Sequence, residues 1–128
     1  MTNYLLDTHV LLWAMFDDAK LSKSAQKILA DVCIHKFISI SSIWEIAIKN
    51  RISKLPLPMG IEGVFARVLA FGCGLLNVDR QHIEVYATLP LLHRDPFDGL
   101  IIATALLEKM TIVTADVNVQ KYDVSWTW

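Results

Sequence analysis

Short apolar runs alternate along the chain with longer segments whose apolar positions recur at helical spacing. Asn3–Leu6 reads as a short strand, and the apolar segment 8–16 has helical length. Residues 17–20 read as a loop. Residues 22–35 are amphipathic, with Ala25, Ile28, Leu29 and Val32 at helical spacing. A second strand is predicted over 37–40 and a helix over 42–51, closed by the extended breaker Leu55-Pro56-Leu57-Pro58. The pattern then predicts a helix over 61–71, a strand over 75–78 and a helix over 80–89 stopped at Pro90. Residues 96–109 are apolar almost all round, as in a helix buried on several sides. A strand follows over 111–114. The alternation of Val124, Trp126 and Trp128 with Ser125 and Thr127 predicts a last one. Strands alternating with helices predict an α/β fold around a parallel sheet. No repeat, low-complexity tract or linker divides the chain, so residues 1–128 read as a single domain.

Composition narrows the function classes. Hydrophobic residues make up 54% and charged residues 20%, which excludes a disordered chain. A mean hydropathy of +0.41 raises the question of a membrane span. The richest stretches, 64–78 and 100–107, are too short or are interrupted by Arg67 and glycines, where a span needs about 20 apolar residues. No membrane association is expected. The first residues lack a basic segment before an apolar run, so no secretory signal is expected either. Twelve basic residues against thirteen acidic leave a net charge of −1, so nucleic acid would have to be held by a local basic patch or a metal. Cys33 and Cys73 form no CxxC pair and read as buried free thiols of a reducing cytoplasm. So apolar a chain is expected to cover surface against a partner.

Acids gather at the carboxyl ends of the expected strands: Asp7 after the first, Glu45 past the second, Asp79 after the third, Asp116 after the fourth. Asp95 and Asp98 open the long apolar helix, three apart and so on one helical face. Ligands bind at the carboxyl edge of an open parallel sheet. Carboxylates converging there repel one another unless a cation lies among them, and hard divalent cations take oxygen ligands. Helix capping is the competing explanation. Ser42 with Glu45, and Asp95 with Asp98 around Pro96, both fit a capping box, and Asp7 and Asp79 each precede a helix. Capping accounts for each acid singly but not for their shared edge, and no helical pattern follows Asp116.

These acids sit in Leu5-Leu6-Asp7-Thr8-His9-Val10-Leu11-Leu12-Trp13, Ser41-Ser42-Ile43-Trp44-Glu45-Ile46-Ala47-Ile48-Lys49, Leu89-Pro90-Leu91-Leu92-His93-Arg94-Asp95-Pro96-Phe97-Asp98, Ile102-Ala103-Thr104-Ala105 and Val113-Thr114-Ala115-Asp116. In this order the five segments resemble the PIN-domain ribonucleases, and within them the VapC-type toxins of bacterial toxin–antitoxin pairs. The resemblance implies a PIN-like parallel sheet of about five strands with helices on both faces. It implies a Mg²⁺- or Mn²⁺-dependent endoribonuclease whose acidic metal site falls on Asp7, Glu45, Asp98 and Asp116, with Asp95 in support. It also implies an antitoxin whose tail reaches the acidic site. One departure is visible: Gly99 stands where the family often has a basic residue.

Metal-assisted hydrolysis of a phosphodiester needs no nucleophilic side chain, and His9, His35, His82 and His93 show no metal-ligand spacing. His9 and His93 fall at the rim of the expected site. Candidate substrate contacts are the hydroxyl of Thr8 and the cations Lys49, Arg51, Lys54 and Arg94. Lys49 equally reads as a helix ion pair with Glu45. Thr114 is expected near the same edge. Trp13 and Trp44 are expected to pack in the core. Cover for the apolar surface is expected from a symmetric homodimer or from the antitoxin, with residues 124–128 and the helix bearing Ile46 and Ile48 as contact candidates. The alternative function is a non-catalytic PIN-like module that binds RNA or protein. A phosphotransfer phosphatase would want a second Asp where His9 stands, and a receiver would want paired acids and a late Lys that are not found.

Overall fold

A computed structural model describes residues 1–128. Its five strands are β1 (Asn3–Leu6), β2 (His35–Ser39), β3 (Gly74–Leu76), β4 (Thr111–Val113) and β5 (Trp126–Thr127). All pair in parallel, in the order β3-β2-β1-β4-β5. Parallel neighbours need crossovers, here helical. Helices α1 (Thr8–Met15) and α2 (Lys23–Ala30) lead to β2; α3 (Ile40–Arg51) and α4 (Gly60–Ala70) lead to β3; α5 (Arg80–Thr88) and α6 (Pro96–Glu108) lead to β4; the short α7 (Val117–Gln120) leads to β5.

Successive strand residues point to opposite faces, and both faces are covered. Leu6 and Val113 pack with Val10, Ile38, Ile46 and Val64. Their neighbours Leu5 and Ile112 pack with Ile101, Ile102 and Val119 on the other side. Burying a Leu or Ile so completely is worth about 2 kcal/mol each. Helix α6 is buried along most of its length, as its apolar pattern predicts. No helix is long and apolar enough to cross a membrane.

Four local expectations are corrected. Helix α2 ends at Ala30 rather than running to 35, because the Asp31 carboxylate accepts the Cys33 N–H at 2.9 Å and turns the chain out of the helix. That turn leaves Cys33 exposed; only Cys73 is buried, and burial pushes its thiol up to about 11. Helix α3 starts at Ile40, capped by Ser39, so Ser42 is not its cap. Trp44 is 61% exposed rather than core, lying edge-on to Phe97 at 5.4 Å.

From β1 the chain winds outward through β2 to β3, then returns past β1 to β4 and β5. The order therefore reverses between β1 and β4, and a ligand crevice opens at the carboxyl ends of the strands at such a point.

Candidate active site

Asp7 leaves the end of β1, where its N–H donates to the Val113 carbonyl of β4 at 3.0 Å. It takes the cap position of α1 in backbone only; its side chain accepts no cap bond. Instead its Oδ2 accepts from Thr114 Oγ1 at 2.8 Å, and its Oδ1 is buried with no partner. Glu45 lies in the second turn of α3 and reaches back to no helix terminus. Its Oε1 accepts from the Thr8 hydroxyl at 2.8 Å, which also lies 2.9 Å from Ser42 Oγ, and its Oε2 accepts from Lys49 Nζ at 2.8 Å. Asp98 is buried in the first turn of α6, with Oδ2 3.0 Å from His93 Nε2. Capping thus does not employ the side chains of Asp7, Glu45 or Asp98.

It does employ two others. Asp95 caps α6, its Oδ1 accepting from Phe97 N–H at 2.9 Å and Asp98 N–H at 3.4 Å. Asp116 caps α7, its Oδ1 accepting from Asn118 N–H at 2.9 Å. A helical turn therefore does follow Asp116, too short to leave a periodic signal. Asp79 lies away from this group, at the start of α5, where its N–H donates to His82 Nδ1 at 3.1 Å.

The carboxylates feel one another. Burial pushes the Asp98 carboxyl up to about 8, and the charges of Asp7, Asp95, Asp116 and Glu45 push the same way. Burial also raises Asp7, with Asp116 adding to it and Thr114 and His9 opposing. In the bare protein this edge wants protons. A divalent cation would replace them, and the donors fit one: hard carboxylate oxygens, one of them buried and unpartnered. Ligand atoms of His93, Asp95 and Asp98 also lie within 4.8 Å of one another.

The basic candidates scatter. Lys49 is on the face of Glu45 and bonded to it, so the ion-pair reading of this residue is realised. Arg51 lies roughly 200° further round α3, among Ile48 and Ile52. Lys54 and Arg94 are exposed and make no ion pair. His9 is exposed with its ring 5.9 Å from Trp13, and Trp13 meets Trp128 edge-on at 5.6 Å. Ile46 is fully buried and presents nothing to a partner. Ser42, expected as a cap, is instead a buried neighbour of Thr8 inside the site. Gly99 has a packing reason: a Cβ there would lie 2.4 Å from Tyr86 Cε2, so the tyrosine ring of α5 rests on the backbone of α6 where a basic side chain would stand.

Comparisons with known proteins place the fold. At 16% identity the chain is similar in fold to a structure of VapBC2 from Rickettsia felis bound to a promoter DNA fragment, with a TM-score of 0.74 and 98% of each chain covered. VapBC-1 from nontypeable Haemophilus influenzae is similar at 18% identity and a TM-score of 0.71, over 98% of this chain and 97% of that one. FitAcB from Neisseria gonorrhoeae is similar at 19% and 0.68, over 98% and 96%. A search of curated protein sequences finds no match. The family model described as PIN domain matches residues 4–125. With that match across nearly its whole length, and with the fold and acidic edge described above, the chain belongs to the PIN-domain family.

Proposed function

We propose that this PIN domain is a Mg²⁺- or Mn²⁺-dependent endoribonuclease acting as the VapC-type toxin of a toxin–antitoxin pair in the cytoplasm. The observation that carries the reading is the buried, unpartnered Oδ1 of Asp7 at the topological switch point, beside Glu45 and Asp98, whose side chains cap nothing. Asp7, Asp98 and Glu45 would hold the cation, with Asp116 offering the oxygen that its cap bond leaves free. A bound divalent cation supplies activation of a water and neutralises charge on the phosphate. Thr114 fixes Asp7 and Thr8 fixes Glu45, so the ligands are oriented before any ion arrives. Lys49 sits beside Glu45 with its ammonium able to turn to a phosphate, and Thr8, Arg51 and Arg94 complete the proposed substrate contacts. Support for a partner comes from the exposed apolar groove lined by Ile40, Trp44, Val78, Ile83 and Leu100, about 390 Å³. We assign cover of this groove to a homodimer and to an antitoxin, as two of the similar structures named above are of VapBC.

The test is RNA cleavage by the purified chain with Mn²⁺ or Mg²⁺, expected to vanish in EDTA, together with light scattering alone and with its operon neighbour. Cleavage insensitive to EDTA overturns the metal mechanism. No cleavage of any RNA favours the non-catalytic module. A clean monomer that ignores the neighbour overturns the toxin–antitoxin reading and leaves the nuclease reading standing.

Lys49→Ala and Arg51→Ala are each expected to weaken RNA binding across sequences and to reduce its salt slope by about one. Titrating binding between low and moderate salt checks this. A slope unchanged in Arg51→Ala alone would confine the phosphate path to the Glu45 face of α3.

A further inference from the structure

His93 stands in the loop before α6, where nothing in helix or strand geometry holds it. It is nevertheless tied at both ends. Its backbone N–H donates to Tyr122 Oη at 3.0 Å, and the tyrosine hydroxyl lies 3.5 Å from its carbonyl. Tyr122 is itself buried in the core cluster of Ile101, Ile102 and Val119. The ring then places Nε2 3.0 Å from Asp98 Oδ2. The clamp spans 29 residues of sequence and closes over a five-residue step from His93 to Asp98.

We propose that His93 is a positioning residue for the metal site. Anchored on Tyr122, it would donate Nε2–H to Oδ2 of ionised Asp98 and so leave the other oxygen available to a cation. The proposal rests on the ligand assignment made above and adds a residue that the assignment does not contain. The same chemistry recurs wherever an outer hydrogen bond fixes a ligating carboxylate, and losing such a partner typically lowers metal affinity 10–100-fold. Direct ligation by His93 is the competing geometry, since three ligand atoms of His93, Asp95 and Asp98 share a 4.8 Å group. Against it stands the hydrogen-bond distance itself: Nε2 already faces a carboxylate oxygen, and the ring's other nitrogen forms no ion pair with an acid.

The experiment is Mn²⁺ binding by calorimetry and pulsed EPR on the full chain. His93→Ala is expected to bind Mn²⁺ about 10–100-fold more weakly with its thermal midpoint in EDTA unchanged. His93→Gln, which keeps an N–H donor at the same reach, is expected to recover most of the affinity. Tyr122→Phe is expected to lose part of it. The wild-type Mn²⁺ signal is expected to show no directly bound ¹⁴N. Unchanged affinity in His93→Ala overturns the proposal while the metal site stands. A coordinated ¹⁴N that disappears in His93→Ala overturns it in favour of a histidine ligand. A wild-type chain that binds no Mn²⁺ overturns both the proposal and the site on which it rests.

Discussion

Asp7→Asn and Asp98→Asn are each expected to lower RNA cleavage by about 10²–10³-fold or more, the scale for removing one preorganised charge-stabilising group, while the domain stays folded. The two substitutions are nearly isosteric and remove charge from an edge where burial and neighbouring carboxylates already oppose it. Thermal stability in EDTA should therefore hold or rise. Glu45→Gln should lose activity similarly, but it also gives up its ion pair with Lys49, so no gain in stability is expected. Asp79→Asn is the control: an exposed acid at the same edge, bonded within α5, whose loss should leave activity whole. Had Asp7 and Asp98 been caps, each change would cost about 1 kcal/mol and spare activity. Parallel melting curves and cleavage rates for the four variants separate the outcomes; full activity in Asp98→Asn would sink the site.

The second large effect is a pH-dependent stability that a cation reverses. Asp98 has an ordinary value of 3.8 and is pushed up to about 8 in the folded, metal-free chain. Between those values the folded state binds a proton that the unfolded state has lost. Stability contributed by that proton is present at the acidic end and declines as pH rises, by up to about 1.4 kcal/mol per unit. Asp7 is shifted in the same direction. The melting temperature in EDTA is thus expected to fall from pH 5 to pH 8, and Asp98→Asn to flatten that fall. Mn²⁺ at 100 times its dissociation constant should stabilise the wild type by about 2.7 kcal/mol, or roughly 10 °C. The gain should grow with pH as protons cease to compete. A wild-type melting temperature that climbs with pH and ignores Mn²⁺ would contradict this account.

Much of this is legible in the sequence alone. The parallel sheet follows from strands alternating with helices, and the acidic edge from Asp7, Glu45, Asp98 and Asp116 falling just past strands or at a helix start. What stayed hidden is what a lone sequence leaves degenerate. Ser39, Ser41 and Ser42 are all competent caps, and only the point where β2 ends its pairing with β3 selects Ser39. That choice moves Glu45 out of a capping box and into the site. The four-residue α7 lies below any periodic signal, so the cap role of Asp116 leaves no mark in the sequence. Trp44 reads as core because its neighbours Ile43 and Ile46 are; its own position on α3 points outward. The Tyr122 clamp on His93 joins residues 29 apart and leaves no local trace.

The bond between Thr114 and Asp7 joins residues 107 apart, and β1 finds its β4 neighbour only after most of the chain has been made. Such a pairing closes a long loop and comes late in folding. On a ribosome the first acid emerges more than a hundred residues before the hydroxyl that orients it. A nascent chain therefore carries its carboxylates as loose solvated charges, and the acidic edge exists only once synthesis has passed β4. Under the toxin reading proposed above, this topology withholds nuclease activity until synthesis has passed β4.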